Sequence, residues 1–438
     1  MRPVNIGLLG LGTVGGGTVT VLTRNASEIT RRAGRAIQIT HAAAQFYDPQ
    51  RISGLDQIKH IGSDPFAVVN DPDVDIVIEL IGGYSPAREL VLAAIENGKH
   101  VVTANKALIA RHGNDIFAAA QAKGVTVAFE AAVAGGIPII KALREGLAAN
   151  RIEWIAGIIN GTGNFILTAM RDQQRPFAEA LAEAQALGYA EADPTFDIEG
   201  IDAAHKLTIL GSLAFGIPLQ FDKTFTEGIS KLHAQDVHFA AELGYRIKHL
   251  GIARRTAEGI EMRVHPTLIP HRRLIANVDG VMNAVLIKGD AVGPTLYYGA
   301  GAGALPTASA VIADVVDIVR ALTANPHHRV PHLAFQPGEL SDTPVLNIDQ
   351  IETAYYLRLF ALDQPGVMAQ IAGIFGEEGI SLEAIQQKEP ADGDTHVPLI
   401  MLTHRVREAR MNQAIRRIEA LDAVSGAVVR IRMETLAG

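Results

Sequence analysis

The run Val4-Asn-Ile-Gly-Leu-Leu-Gly10-Leu-Gly12-Thr-Val-Gly15-Gly-Gly-Thr-Val-Thr-Val-Leu22 reads as a strand, a tight turn and a helix in immediate succession. Val4–Leu9 is short and apolar, as a buried parallel strand is. Gly10, Gly12 and Gly15 form G-x-G-x-x-G in the strand–turn–helix setting that gives this motif its meaning. The first glycine permits the turn, the second lets backbone approach a pyrophosphate, and the third lets helix and strand pack closely. The helix beginning near Gly16 aims its N-terminus at the same place, where an anion is favoured. Gly10, Gly12, Thr13, Val14 and Gly15 are therefore candidate cofactor contacts.

Working outward, Ile37–Ala44, Asp75–Ile81, His100–Thr103 and Val125–Phe129 are further strand candidates, alternating with helix-like Ser85–Asn97 and Ala107–Lys123. Such alternation predicts an α/β fold, a doubly wound parallel sheet of the Rossmann type. Ligands of these sheets sit at the carboxyl ends of the strands. Thr103-Ala-Asn105-Lys106 stands at one such end, which makes Thr103 and Lys106 candidates for contact with cofactor or substrate. The second strand ends in Ala44-Gln45-Phe46-Tyr47-Asp48 with Arg51 beyond. Neither an acid for the NAD ribose nor an arginine for the NADP phosphate is cleanly placed, so NAD and NADP both stay open.

The chain has 438 residues, too many for one core, so two or three domains are expected. The formal net charge of -8 argues against a nucleic-acid surface. Cysteine is absent, which excludes disulfides, thiolate metal sites and thiol catalysis and fits the cytoplasm. No secretory segment and no membrane span are expected.

In the middle of the chain, Glu130 precedes a glycine-rich turn to Pro138 that can present several oxygens to a hard cation or serve as a domain crossover. Asn160-Gly-Thr162-Gly163-Asn164 follows a strand and opens a helix, where Thr162 can bond a substrate, and Thr162 or Asn164 can cap the helix. Then comes Glu191-Ala-Asp-Pro-Thr-Phe-Asp197-Ile-Glu-Gly-Ile-Asp202-Ala-Ala-His-Lys206. Asp202 and Lys206 are spaced to share one face of a helix. A turn at Pro194 can bring Glu191 and Asp197 toward the same cleft. Gly251–Met262 and Asn283–Gly289 read as strands of a second, mixed sheet. The histidines at 233, 238, 249, 265 and 271 lack metal-ligand spacing. Gly299–Pro306 reads as a second glycine-rich loop; with Gly303 at its end it can close over a cofactor before an amphipathic helix returns to the nucleotide domain.

Taken together, Gly10–Gly15, Thr103–Lys106, Glu130–Pro138, Asn160–Leu167, Ala192–Leu210 and Gly299–Ala308 resemble the homoserine dehydrogenase family, in order and over most of the chain. The resemblance implies interconversion of L-aspartate 4-semialdehyde and L-homoserine, linked to NADP or NAD, on the route to threonine, methionine and isoleucine. It implies that Lys206 moves the proton, that Asp202 orients and charges it, and that Lys106 is a second active-site lysine. It implies that Glu191 and Asp197 hold the substrate amino group, with Thr162 at a substrate turn. Glu130, with the backbone oxygens of Val133, Gly135 and Ile137, matches the family's site for a monovalent cation, sodium. The missing thiol separates this activity from the neighbouring oxidation of an aldehyde to an acyl phosphate. The rivals are a catalytically silent amino-acid sensor and another amino-alcohol dehydrogenase.

The tail runs strand Tyr355–Leu362, turn Asp363-Gln-Pro-Gly366, helix Val367–Glu378, a strand from Gly379, strand Val397–His404, helix Val406–Leu421 and strand Ala427–Met433. This βαββαβ, ferredoxin-like order resembles an ACT domain. The resemblance implies an amino-acid effector such as threonine, held by Asp363, Gly366, Val367 and Ser381. The expected division is a nucleotide domain of residues 1–130 completed by 304–325, a catalytic and dimerisation domain of 131–303, a linker of 326–353 and an ACT domain of 354–438. A homodimer built on the middle sheet follows by resemblance, with pairing of tails as a route to a tetramer.

Overall fold

The computed structural model describes residues 2–323, 325–388 and 395–436. Strands β1 (Val4–Leu9), β2 (Ile37–Ala43), β3 (His60–Gly62), β4 (Ile76–Glu79), β5 (His100–Thr103) and β6 (Val127–Ala128) form a six-stranded sheet in the order β3-β2-β1-β4-β5-β6. Every pair in it is parallel, and the order reverses beside β1, which is the crevice where dinucleotides bind. β1 is buried almost throughout, as its apolar run dictates. Gly10 has a φ of 98°, and a Cβ on Gly15 would lie 2.0 Å from the Gly10 carbonyl oxygen. That contact brings helix Thr13–Arg24 down onto the strand it follows. Helix Ala304–Ala321 returns from the far side of the chain to pack on it, and Val311 and Val315 share a core with Ile6 and Leu8.

The second sheet has eleven strands. Its middle part comprises β7 (Ile152–Ile158), β8 (Phe225–Thr226), β9 (Tyr245–Arg255), β10 (Ile260–Pro270), β11 (Met282–Gly289) and β12 (Gly293–Ala300). Gly251–Met262 is not one strand. It spans the turn of the β9–β10 hairpin, where Thr256 N donates to Gly259 O, and the strands on either side are as charged as the turn, which hides the break. The Gly299–Pro306 segment is likewise shared between the end of β12 and the first turn of the returning helix.

The tail carries β13 (Glu352–Leu362), β14 (Leu382–Gln387), β15 (His396–Thr403), β16 (Val406–Arg407) and β17 (Val424–Met433) with two helices. Its second helix begins at Glu408, after the short β16, rather than at Val406. β17 pairs in parallel with β10 through Thr267–Arg432 and Leu268–Met433, so the sheet runs without interruption as β12-β11-β7-β9-β10-β17-β13-β15-β14. Among the described residues no helix is long and apolar enough to cross a membrane.

Candidate active site

The site lies between the two sheets. A cleft of about 350 Å³ runs from Val14 in the glycine turn along residues 80–84 to Asn105, Lys106 and Phe196. Its floor is organised by Glu79, at the end of β4 and fully buried. One oxygen of Glu79 accepts from Ile81 N and Gly82 N at 2.8 and 3.0 Å, and the other accepts from the Thr103 hydroxyl at 2.6 Å. Thr103 Oγ1 in turn accepts from Asn105 N, and Asn105 caps helix Lys106–Lys123 by accepting from Leu108 N. The Thr103 side chain is thus spent on shaping the turn that starts this helix at Lys106. Gly303 precedes the first residue of helix Ala304–Ala321, where Ala304 O sits against Gly17.

Helix Ile201–Phe215 packs against helix Lys106–Lys123, and its spacing does what the sequence suggests. Lys206 Nζ lies 2.6 Å from Asp202 Oδ2 and donates to Ile159 O at 2.9 Å. Lys106 Nζ reaches Asp202 Oδ1 at 3.3 Å, so one buried carboxylate faces both lysines. Asn160 completes the set by donating to Asp202 Oδ2 at 2.9 Å and to Asp197 Oδ1 at 2.7 Å. Burial alone would raise the Asp202 carboxyl, but the charges of Lys206 and Lys106 outweigh it and hold it well below the ordinary carboxylate range. Asp197 is pushed the other way, by burial first and then by the Asp202 charge, against the opposing pull of Asn160 and the lysines. His205, between the two helix residues that matter, is driven down to about 4 by burial and by Arg111, and stacks on Phe221 at 4.2 Å.

Not every expected residue joins this cluster. The Glu191 side chain is exposed, and no hydrogen bond or ion pair among the described residues ties it to Asp202 or to either lysine. Thr162 donates its hydroxyl to Tyr189 O at 2.6 Å, which fastens the helix start to the turn before Glu191. The cap of helix Gly161–Asp172 is neither Thr162 nor Asn164 but Asn160, whose Oδ1 accepts from Gly163 N at 2.7 Å. Asn164 instead donates to Val278 O and Gly280 O. Sequence reasoning missed Glu79 and Asn160. Glu79 had a signal, a lone carboxylate inside an apolar strand just before Gly82-Gly83.

The Glu130 loop is buried against the returning helix. Glu130 N donates to Asp314 Oδ2 at 2.8 Å, and the Glu130 carboxylate accepts from Ile140 N and Lys141 N at 2.9 and 2.8 Å. Ala134 and Gly135 both have positive φ, 55° and 49°, which turns successive carbonyls out of the chain path. Ile137 O accepts from Ile139 N, whereas no N–H among the described residues donates to Val133 O or Gly135 O, although both residues are buried. Among the described residues no group of three or more His, Cys, Asp or Glu side chains is placed to hold a metal ion. In the tail, Asp363 accepts from Gln387 Nε2 at 3.0 Å, Gly366 takes a φ of 93° to begin helix Val367–Glu377, Val367 is buried, and Ser381 O accepts from His404 N.

A lysine has three donors and no acceptor. Lys206 spends two of them on Asp202 and Ile159 and keeps a third, beside Lys106, which lines the cleft. That arrangement suits transfer of a proton to or from an oxygen held beside a dinucleotide.

Comparison with known proteins agrees with this geometry. Residues 10–130 match the family described as homoserine dehydrogenase, NAD binding domain; residues 138–316 match homoserine dehydrogenase; residues 355–423 match the ACT domain. The homoserine dehydrogenase of Pseudomonas aeruginosa is 67% identical over 436 residues, covering 100% of each chain. The crystal structure of a homoserine dehydrogenase from Thiobacillus denitrificans is similar with a TM-score of 0.95 and 66% identity, covering 100% of this chain and 99% of its own. A hyperthermophilic archaeal homoserine dehydrogenase in complex with NADPH gives a TM-score of 0.61 and 25% identity, over 72% of this chain and 98% of its own.

Proposed function

The chain belongs to the homoserine dehydrogenase family, and from that premise we propose that it interconverts L-homoserine and L-aspartate 4-semialdehyde with Lys206 carrying the proton. The observation that carries the role of Lys206 is its third, unspent donor in a cluster with Asp202 and Lys106, the last of which lines the cleft that begins at the glycine turn. A bound nicotinamide nucleotide, NAD or NADP, supplies or takes up the hydride. Lys206 gives its proton to the aldehyde oxygen in reduction and takes it from the alcohol in oxidation. Asp202 fixes that lysine in place through its hydrogen bond. Lys106, above Asp202 and 5.9 Å from the Phe196 ring, closes the other side of the substrate space. Asp197 receives the substrate ammonium, since Asn160 holds it beside Asp202 while it carries the weaker share of cationic partners.

The glycine turn with Thr13 and Val14 binds the nucleotide, with Gly303 beside it. The unsatisfied carbonyls of Val133 and Gly135, with Glu130 and Ile137, fit a hard monovalent cation such as sodium. When bound there, it would brace the loop that leads from the nucleotide domain to the middle sheet. The proposed division runs 1–130 with 304–325, 131–303, the connector 326–353, and 354–438. A homodimer would use the middle sheet, whose open edge is β12. An amino-acid effector such as threonine is assigned to the Asp363–Val367 turn with Ser381.

The test is nicotinamide absorbance with the purified full-length protein, L-homoserine, and either NAD or NADP. Homoserine-dependent reduction of one nucleotide is the expected result and names the preferred cofactor. No reduction by folded, nucleotide-binding protein would overturn the assignment of the reaction.

A further inference from the structure

Phe196 lines the cleft beside Lys106 with its side chain 41% exposed, yet its ring is not loose. It stacks on His205 at 5.5 Å between centroids, and His205 stacks on Phe221 at 4.2 Å. Arg111 lies over the Phe221 ring at 4.4 Å and pairs with Asp222 at 3.5 Å. At the other end of the stack, Lys106 Nζ lies 5.9 Å from the Phe196 ring. Both cations belong to helix Lys106–Lys123, which follows β5 of the parallel sheet, whereas the three rings come from the middle of the chain. One helix therefore touches both ends of a three-ring stack.

His205, the middle ring, is buried, and its Nδ1 has no hydrogen-bond partner among the described residues. Its Nε2 meets the Tyr84 hydroxyl at a long 3.4 Å. A buried histidine kept for its hydrogen bonds uses its nitrogens. This one is uncharged at neutral pH and packs through its faces, as an aromatic plate. It stands one residue before Lys206 in helix Ile201–Phe215, so a rigid element carries the support on which Phe196 rests. Phe196 itself precedes Asp197 in the short helix Thr195–Ile198. The ring thus belongs to the same turn as the group assigned to the substrate ammonium and lies against the second lysine.

We propose that Phe196 is the wall that selects the length of the substrate side chain, and that His205, Phe221 and Arg111 are positioning residues that hold it there. The proposal rests on the reading of the substrate space between Asp197, Lys106 and Lys206. With the ammonium at Asp197 and the hydroxyl at Lys206, a four-carbon amino alcohol is fixed at both ends. A fifth carbon has to bulge sideways, and the ring next to Asp197 stands in its way. A side chain that is itself stacked cannot yield to one more methylene without disturbing its neighbours.

The experiment compares kcat/KM for L-homoserine with that for L-2-amino-5-hydroxypentanoate, one methylene longer, in the full-length wild type, Phe196→Ala, His205→Ala, His205→Phe and Arg111→Met. The thermal midpoint checks folding, and the fluorescence of the reduced nucleotide gives its Kd for each. The wild type should prefer homoserine by about tenfold or more, the usual range for one methylene. Phe196→Ala should cut that preference by about tenfold, chiefly through a lower KM for the longer substrate. His205→Ala and Arg111→Met should cut it by about threefold or more, whereas His205→Phe, which keeps the plate and loses both nitrogens, should hold it within about twofold. The nucleotide Kd should stay level throughout. Arg111 is half-exposed, so Arg111→Met carries the positioning claim if His205→Ala does not fold. An unchanged preference in Phe196→Ala overturns the wall. A preference that falls in Phe196→Ala but in neither positioning variant, or a His205→Phe that behaves like His205→Ala, overturns the role of the stack. Wild type that oxidises both substrates alike overturns the wall while the reaction stands, and wild type that oxidises neither overturns the reaction and the wall together.

Discussion

Two buried ionic clusters in this chain look alike on paper and differ in one respect. At the active site, Asp202 is neutralised by Lys206 and Lys106, whose side chains are 12% and 36% exposed. At the junction with the tail, Arg432 forks onto Glu408, with both side chains 1% exposed, and reaches Glu227. Beside it Glu434 receives both Arg254 and Arg263. In each cluster burial pushes a carboxylate upward and the cations win. Asp202 is held well below the ordinary range and Glu434 is brought down to about 2. The difference is in the cations. At the junction Arg432 and Arg254 are turned onto fixed carboxylates and Arg263 onto Glu261, Glu434 and His265, whereas Lys206 makes two fixed hydrogen bonds and has a third N–H to spare. Ion pairing does not mark the reacting group here; a cation left partly unsatisfied beside a cavity does.

If that distinction holds, the two clusters should fail in different ways. Lys206→Ala is expected to lower kcat by about two to four orders of magnitude while folding and nucleotide titration stay normal. Turnover within tenfold of wild type would remove the proton-transfer role. Arg432→Ala should do the reverse. It leaves buried Glu408 with only Arg430 and the Tyr355 hydroxyl and takes the ion pair from half-buried Glu227, so unfolding in urea should show a loss of about 3 kcal/mol, with kcat per folded molecule preserved. An Arg432 variant that keeps its stability but loses turnover would erase the distinction. Because β17 lies directly on β10, cutting the tail away is not an equivalent test, since it would bare the β10 edge.

A smaller effect should appear with pH. Glu434 has a depressed pKa, so its contribution to stability is complete above the ordinary value of 4.5 and is lost as pH falls from there through about 2. Glu434→Gln should flatten the acid limb of the stability curve in that window and leave neutral pH activity in place. An unchanged limb would mean that the two arginines are not compensated through Glu434.

How much of this was legible in the sequence depended on distance along the chain. Gly10–Gly15 and the Asp202–Lys206 pair could be read because both are local: a turn and one helical repeat fix which atoms meet. The β9–β10 hairpin was misjudged because the strands flanking Thr256-Ala-Glu-Gly259, with Arg254, Arg255, Glu261 and Arg263, are as charged as the turn itself, so polarity did not mark the break. Asn160 bridging Asp197 and Asp202, Glu79 under Thr103, and the pairing of β17 with β10 all join residues far apart in sequence, where periodicity carries no information. Thr162 shows the opposite failing. It was read as a ligand contact from its place in a turn, and its hydroxyl donates to Tyr189 O, a partner its local sequence does not reveal.

Asp197 provides the finest probe of the active-site half of the comparison, because its charge should matter for binding and not for the proton step. Its carboxyl is raised by burial and by the adjacent negative Asp202, so it gains a proton at a higher pH than an ordinary aspartate. Once protonated it cannot pair with the substrate ammonium. The KM for homoserine should therefore rise as pH falls through that raised value, while the KM for the nucleotide stays level. Asp197→Asn keeps a partner for Asn160 and removes the charge. It should raise the homoserine KM by about tenfold at neutral pH, leave kcat nearly intact, and abolish the rise on acidification. If kcat falls instead with KM unchanged, Asp197 acts in the transition state, and the division of labour between Asp197 for binding and Lys206 for the proton is wrong.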